Sequence, residues 1–296
     1  MENCSLCPRQ CHADRAHGQK GYCQTPAELT VARAALHMWE EPCISGHNGS
    51  GTVFFSGCTL GCVYCQNYLI SQGLSGKKIT IERLGEIFIA LQEQGAHNIN
   101  LVTPSHYTPQ ILDALRLAQK KGLNLPIVYN CSGYEKIVTL QMLTGYIDVY
   151  LPDFKYYSEI IAQKYSRAKN YFAYASQAVK EMLRQTGTPV YSEQGLLIKG
   201  VLIRHLTLPG YLQDSKSIIK FLHYNFKNSV LLSIMSQYTP LAVNLTSYPE
   251  LNKTVTKQDY EELIDYAIAI GVENAYIQSG ETASESFIPE FDLTGI

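Results

Sequence analysis

From residue 50 onward, short apolar runs alternate with longer segments in which apolar residues recur every three or four positions. The runs 52–56, 100–103, 126–129, 147–151, 196–204 and 230–235 read as strands. Between them, Ile81, Leu84, Ile87, Phe88 and Leu91 share one helical face, and Gly95 is placed to end that helix. Thr108 followed by Pro109 reads as an N-cap and first turn, with Gly122 closing the helix. Further helices are expected over 135–143, over 171–185 with Gly187 beyond, over 215–224, and from a Thr256 cap to Ile270. Six strand–helix units in succession predict an α/β chain with a parallel sheet and crossover helices. The strands are continuously apolar, as expected of strands buried on both faces. Spacing alone leaves a barrel and an open doubly wound sheet equally open.

The first 45 residues break the pattern. They are punctuated by Pro8, Gly18, Gly21 and Pro26, and eight of the nine cysteines precede residue 66. Three units are therefore expected: a Cys-rich metal-binding module over 1–45, the α/β core over 46–283 and a tail over 284–296. The formal charge of −2 argues against nucleic acid as a partner. No apolar run approaches the roughly 18–20 residues that span a bilayer. Met1-Glu2-Asn3-Cys4 lacks the basic and apolar regions of a secretory signal. A cytoplasmic location is expected, and in a reducing compartment clustered cysteines point to metal ligands or catalytic groups before disulfides.

The sharpest motif is Cys58-Thr59-Leu60-Gly61-Cys62-Val63-Tyr64-Cys65, directly after the first strand of the core. Three thiolates on one short loop can converge on a soft metal centre. A closed structural zinc site takes four ligands, and Cys43 could be the fourth. A four-iron cluster held by three cysteines instead leaves one iron free to bind something else. The spacing, with Tyr64 as the aromatic before the last cysteine, resembles the radical S-adenosylmethionine (SAM) enzymes. The likeness extends to stand-alone relatives of pyruvate formate-lyase activating enzyme. It runs through Glu40-Glu41-Pro42-Cys43-Ile44-Ser45-Gly46, Phe54-Phe55-Ser56-Gly57, His97-Asn98-Ile99-Asn100, Thr103-Pro104-Ser105-His106-Tyr107, Tyr150-Leu151-Pro152-Asp153-Phe154-Lys155 and Ile203-Arg204-His205-Leu206.

The resemblance implies a partial (β/α)6 barrel, in agreement with the six units. It implies an oxidoreductase in which Cys58, Cys62 and Cys65 hold a [4Fe-4S] cluster that cleaves SAM reductively. The resulting 5′-deoxyadenosyl radical would abstract hydrogen from a substrate, and flavodoxin or ferredoxin would supply the electron. The substrate is a glycine of a partner enzyme, as for the activases, or alternatively a small molecule or another protein side chain. Many relatives end the second strand in Gly-Gly-Glu. This chain departs there with Thr103-Pro104-Ser105-His106, whose hydroxyls could accept from the SAM amino group. Asp153 and Lys155 match the Asp-x-Lys element that lies near SAM in the activating enzymes, and Lys155 could pair with the SAM carboxylate. Tyr64, Thr103, Ser105, Asp153, Lys155 and Arg204 are the cofactor-binding candidates, with Arg204 able to hold a carboxylate bidentately. Tyr129, Asn130, Gln237 and Tyr238 end other strands near the expected mouth; His205 is read first as a core histidine and Cys131 as a small apolar group.

Cys4, Cys7, Cys11 and Cys23 offer four more thiolates, enough for zinc or an auxiliary iron–sulfur cluster, with His12 and His17 as substitutes. Two rivals stand beside the enzyme: a zinc-bound interaction module and an electron-transfer iron–sulfur protein without SAM.

Overall fold

A computed structural model of the chain describes residues 2–240, 245–278 and 289–296. In chain order its elements begin with β1 (Thr30–His37), the short helix α1 (Pro42–Ser45), β2 (Ser50–Phe55), α2 (Tyr68–Ser71) and β3 (Lys77–Lys78). Next come α3 (Ile81–Glu93), β4 (Ile99–Val102), α4 (Thr108–Lys120), β5 (Ile127–Cys131), α5 (Ile137–Met142) and β6 (Val149–Pro152). The second half has α6 (Glu159–Ser166), α7 (Tyr171–Thr186), β7 (Val190–Tyr191), β8 (Leu197–Leu206), α8 (Leu212–Phe226), β9 (Leu231–Met235), α9 (Lys257–Ala269) and β10 (Ala275–Ile277).

Strands β2, β4, β5, β6, β8 and β9 are parallel neighbours in that order. They are the six expected strands, and with their crossover helices they make the six-unit partial barrel. β10 adds a seventh parallel strand beyond β9. β1 pairs antiparallel to β2 at the other end, and β3 pairs to β1. The sequence pattern does not show β1. Its Thr-Val-Ala-Arg-Ala-Ala run is rich in alanine, a weak strand former, and lies in the segment read as the Cys-rich module. No helix among the described residues is long and apolar enough to cross a membrane.

Alternation along the strands makes two apolar layers. Tyr129, Tyr150, Val201 and Ile203 face the helices, where Phe88, Leu115, Val179 and Ile218 cover them. Val128, Val149, Leu151 and Leu202 face the other way and pack with Cys43 and Ile44 of α1. Burying one such side chain contributes about 2 kcal/mol. α1 thus plugs the barrel interior, and Asn98 fastens it by donating to the Ile44 carbonyl at 2.8 Å while accepting from Ser50 at 2.6 Å. Cys43 is spent in this packing, which removes it from the neighbourhood of the three-cysteine loop.

Helix ends follow their caps. Thr80 and Thr256 accept from the backbone N–H groups of Arg83 and Asp259 at 3.1 and 3.0 Å. Thr108 does not act as the expected N-cap. It is the first helical residue, and its hydroxyl donates to the Ser105 carbonyl at 3.0 Å. Of the tail, 284–288 lies outside the described residues. The stretch 289–296 runs along β1, where Ala34 N–H donates to Thr294 and Leu293 N–H to Ala32.

Candidate functional site

The chain turns sharply on leaving β2. Gly57 (φ +85°) and Gly61 (φ +65°) occupy the left-handed region that other residues avoid, and between them they let Cys58 to Cys65 coil over the strand ends. The loop lines a cavity together with Thr103, Asn130, Asp153, Lys155 and Arg204, from the C-terminal ends of β4, β5, β6 and β8. Cys58, Cys62 and Cys65 are all free thiols on this wall. Burial, then the charges of Cys65 and Cys62, push the Cys58 thiol up to about 12, and burial also raises Cys65. Among the donors to sulfur here, Leu60 N–H reaches Cys58 Sγ at 3.3 Å, and the Ser166 hydroxyl reaches Cys62 Sγ at 3.1 Å. Tyr156 bridges the hydroxyls of Ser166 and Tyr64 at 2.6 and 2.7 Å, which holds the Tyr64 ring on the cavity wall.

The same cavity is lined by a buried charge network. Lys155 Nζ donates to Asp153 Oδ2 at 2.7 Å, and Arg204 Nε to Asp153 Oδ1 at 2.9 Å. Arg204 continues to Glu40 Oε1 at 2.6 Å and to Asn130 Oδ1 at 2.7 Å. Asn100 and Asn130 donate to the other Glu40 oxygen at 3.0 and 2.9 Å. Burial works against the Asp153 charge, but Arg204 and Lys155 outweigh it and hold the carboxyl below its ordinary range. Burial likewise opposes the Lys155 charge; Asp153 and then Cys62 prevail and raise its pKa. Both groups stay ionised at neutral pH.

This arrangement sorts the sequence candidates. Tyr64, Thr103, Asp153, Lys155, Arg204, Asn130 and Gln237 line the cavity with the three cysteines. Ser105 does not: its hydroxyl donates to Glu135 at 2.5 Å, away from the cavity. Arg204 gives one N–H each to Asp153, Glu40 and Asn130, so three of its five donors orient the network while the residue still lines the cavity. Tyr129 packs edge-on to Tyr150 on the helix side, Tyr238 donates to the Leu251 carbonyl at 2.8 Å, and His205 is a buried core residue bonded to the Phe154 carbonyl. Cys131 is buried beside Glu135 and is also part of the cavity lining. Glu40, Ser166 and Tyr156 were missed. Glu40 stands in a motif block that carried no role, and the other two are ordinary residue types joined to the site only by the fold.

The N-terminal thiols are neighbours in part. Cys7 lies within electrostatic reach of Cys23 and Cys11, and a Cβ on Gly21 would stand 2.7 Å from Cys11 Sγ and 3.9 Å from Cys23 Sγ. Cys4 Sγ is drawn to Arg15 Nη1 at 3.8 Å. His17 is paired with Asp14 at 2.8 Å. Among the described residues, no three Cys, His, Asp or Glu side chains already stand together as a metal shell.

Residues 52–222 match the sequence model of the radical SAM superfamily, and the chain belongs to that superfamily. Its cofactors are accordingly a [4Fe-4S] cluster and SAM, and the radical chemistry of the family needs a one-electron reductant. An uncharacterized protein of Methanocaldococcus jannaschii is 30% identical over 277 residues, which cover 90% of this chain and 75% of that one. The [FeFe]-hydrogenase maturase HydG shares the fold with a TM-score of 0.52 and 16% identity, over 74% of this chain and 49% of that one. Methylornithine synthase PylB does so with a TM-score of 0.51 and 14% identity, over 74% of this chain and 60% of that one. For Streptococcus suis SuiB bound to SAM the TM-score is 0.50 and the identity 14%, over 75% and 48% of the two chains. The chain thus spans about half to three-fifths of the length of these solved structures.

Proposed function

We propose that Cys58, Cys62 and Cys65 hold the [4Fe-4S] cluster, that the chain cleaves SAM reductively, and that the hydrogen it removes comes from a glycine of a partner protein. The observation that carries this is one cavity lined by three free thiols and by the Lys155–Asp153 ion pair. The donor set fits: three cysteines on one loop would hold a four-iron cluster and leave one iron free to bind a ligand. When bound, the cluster supplies the electron that splits SAM into methionine and the 5′-deoxyadenosyl radical.

The chain's own residues bind, orient and exclude. Lys155 has three donors and spends one on Asp153, which leaves its charge and two donors for a carboxylate. Asp153 is fixed from behind by Arg204, and Arg204 by Glu40. Thr103 sits at φ +58°, unusual for a β-branched residue, and its N–H donates to the Asn130 carbonyl. Thr103 lines the cavity, where its hydroxyl could accept from an ammonium. Below, Cys43, Ile44, Val128 and Leu151 fill the barrel and keep water out. Trp39, which is 64% exposed, lines the same cavity, and an exposed aromatic there would suit contact with a protein loop.

The test is anaerobic. Protein reconstituted with iron and sulfide, then reduced, forms 5′-deoxyadenosine from SAM. The Cys58, Cys62 and Cys65 triple alanine variant forms none. A glycyl radical signal on an added partner supports the activase reading; turnover of a small molecule without one moves the chain to the other substrate class. A second metal at Cys4, Cys7, Cys11 and Cys23 belongs to the same proposal. Changing all four to alanine removes one metal complement and leaves the SAM-responsive cluster. Protein that takes up zinc alone returns the chain to the interaction-module reading.

A further inference from the structure

Residues 2–28 lie against the cluster-bearing loop rather than beside it. Arg9 makes most of the contact. Its guanidinium donates from Nε to the Thr59 carbonyl at 2.9 Å, from Nη2 to the Leu60 and Ser166 carbonyls at 2.8 Å each, and from Nη1 to the Arg167 carbonyl. Its plane lies over the Tyr22 ring at 3.7 Å, with Tyr134 at 5.2 Å. Thr59 and Leu60 are the residues between Cys58 and Gly61, and Ser166 is the residue whose hydroxyl meets Cys62 Sγ. One side chain therefore fixes both the backbone that spaces the first two cysteines and the group that stabilises the second. Two further contacts fit the same surface. A Cβ on Gly61 would meet the Tyr22 hydroxyl at 3.2 Å, and one on Gly57 would run into the Cys23 carbonyl.

We propose that Arg9 is a positioning residue for the cluster ligands, and that the Cys-rich segment is the mould in which the Cys58–Cys62 turn is held. The proposal rests on the reading of Cys58, Cys62 and Cys65 as the ligands. Only arginine suits the place. Its planar fork carries five donors in fixed directions and stacks on an aromatic face, whereas lysine offers a point charge that cannot span carbonyls from two loops. Groups that orient metal ligands from outside the coordination shell commonly alter metal affinity or activity by 10–100-fold.

The experiment compares Arg9→Lys with wild type after reconstitution. Iron and sulfide content, the rate of iron loss to a chelator, and the electron paramagnetic resonance spectrum of the reduced cluster with and without SAM are measured. Arg9→Lys is expected to load fully, to lose iron about tenfold faster, and to give a broadened, heterogeneous spectrum. Tyr22→Leu, which removes the stacked ring and the 3.4 Å bond of its hydroxyl to the Leu60 carbonyl but leaves the four Arg9 hydrogen bonds, gives a roughly threefold increase, about the worth of one cation–π contact, and keeps the test alive if Arg9→Lys does not fold. A wild-type loss rate and spectrum in the folded variants overturn the proposal. Failure of the ligand reading looks different: the triple alanine variant at Cys58, Cys62 and Cys65 would still hold a SAM-responsive cluster, whatever Arg9 does.

Discussion

The barrel and the first 28 residues are held together by different forces. In the barrel, Val53, Leu101, Val128 and Leu151 have no exposed surface, and their neighbours are equally apolar. Among the described residues of 2–28, none belongs to a hydrophobic cluster, although Cys4, Cys7 and Cys23 are buried. The only regular structure there is the single turn Arg15–His17. The largest buried side chain is Arg15, which donates to the carbonyls of Thr25 at 3.1 Å, His106 at 2.6 Å and Pro26 at 2.7 Å. Apolar burial is spread over many residues and has no direction. A few charged forks concentrate the same task in one or two groups, and they fix positions sharply. That suits a segment whose task is to shape a loop.

If the comparison holds, the largest single loss of stability lies in the segment with the least apolar core. Arg15→Met would leave the buried carbonyls of Thr25 and His106 and the part-buried one of Pro26 without their donor, at roughly 1–3 kcal/mol for each buried one. A total loss of about 4 kcal/mol in urea unfolding is expected. Leu101→Ala in the barrel should cost about 3 kcal/mol, the usual range for a buried leucine. An Arg15→Met variant within about 1 kcal/mol of wild type would break the comparison, because the segment would then have support that its hydrogen bonds do not reveal.

A smaller effect is visible through pH. His106 bridges the two regions: its backbone carbonyl accepts from Arg15, and its Nε2 lies 2.8 Å from the Ser56 carbonyl. Burial, then the Arg15 charge, push its pKa down to about 3. In the unfolded chain the imidazole takes a proton near its ordinary value of about 6.5. A depressed histidine adds stability above that value and loses it as pH falls toward the folded pKa. Between pH 6.5 and 5 the loss is on the order of 2 kcal/mol. The apoprotein should show it as a difference between wild type and His106→Gln, whose amide can still donate to Ser56. Parallel curves for the two would place the protonation elsewhere.

The same contrast explains what could be read from the sequence. The six parallel strands and the helix over Ile81–Glu93 were legible because apolar burial leaves a period in the chain. The three-cysteine loop was legible because its ligand types are rare and tightly spaced. Lys155 and Asp153 came through resemblance, and they do share the cavity. Ser105 had the right chemistry and the right neighbours in sequence, but β4 ends in a turn that sends its hydroxyl to Glu135. Arg9 and Glu40 had no signal of their own. A directional contact between residues 9 and 166, or 40 and 204, leaves no periodicity. β1 was hidden for a related reason, since Arg33 interrupts its apolar run and alanines fill the rest.

Arg33 also offers the finest test of the comparison, since it is a polar clamp on the barrel's own edge. Its Nη1 donates to Asp292 Oδ1 at 2.7 Å and to the Glu290 carbonyl at 3.0 Å, which holds 289–296 along β1. The Phe291 ring packs on Phe54, with centroids 5.5 Å apart, so the clamp is backed by apolar contact. The pair is part-exposed and screened, and such pairs contribute about 0–1 kcal/mol. Arg33→Ala is therefore expected to lower stability by about 0.5 kcal/mol, far less than Arg15→Met, although both remove an arginine bound to backbone carbonyls. The difference is burial: water replaces the lost donor at the edge and cannot do so around the buried Arg15. Pro289 lines the cavity, so the same variant should loosen one wall and raise the SAM concentration needed for half-saturation by a few-fold at most. A loss of stability in Arg33→Ala as large as in Arg15→Met would mean that polar clamps, and not apolar layers, secure the barrel edge as well.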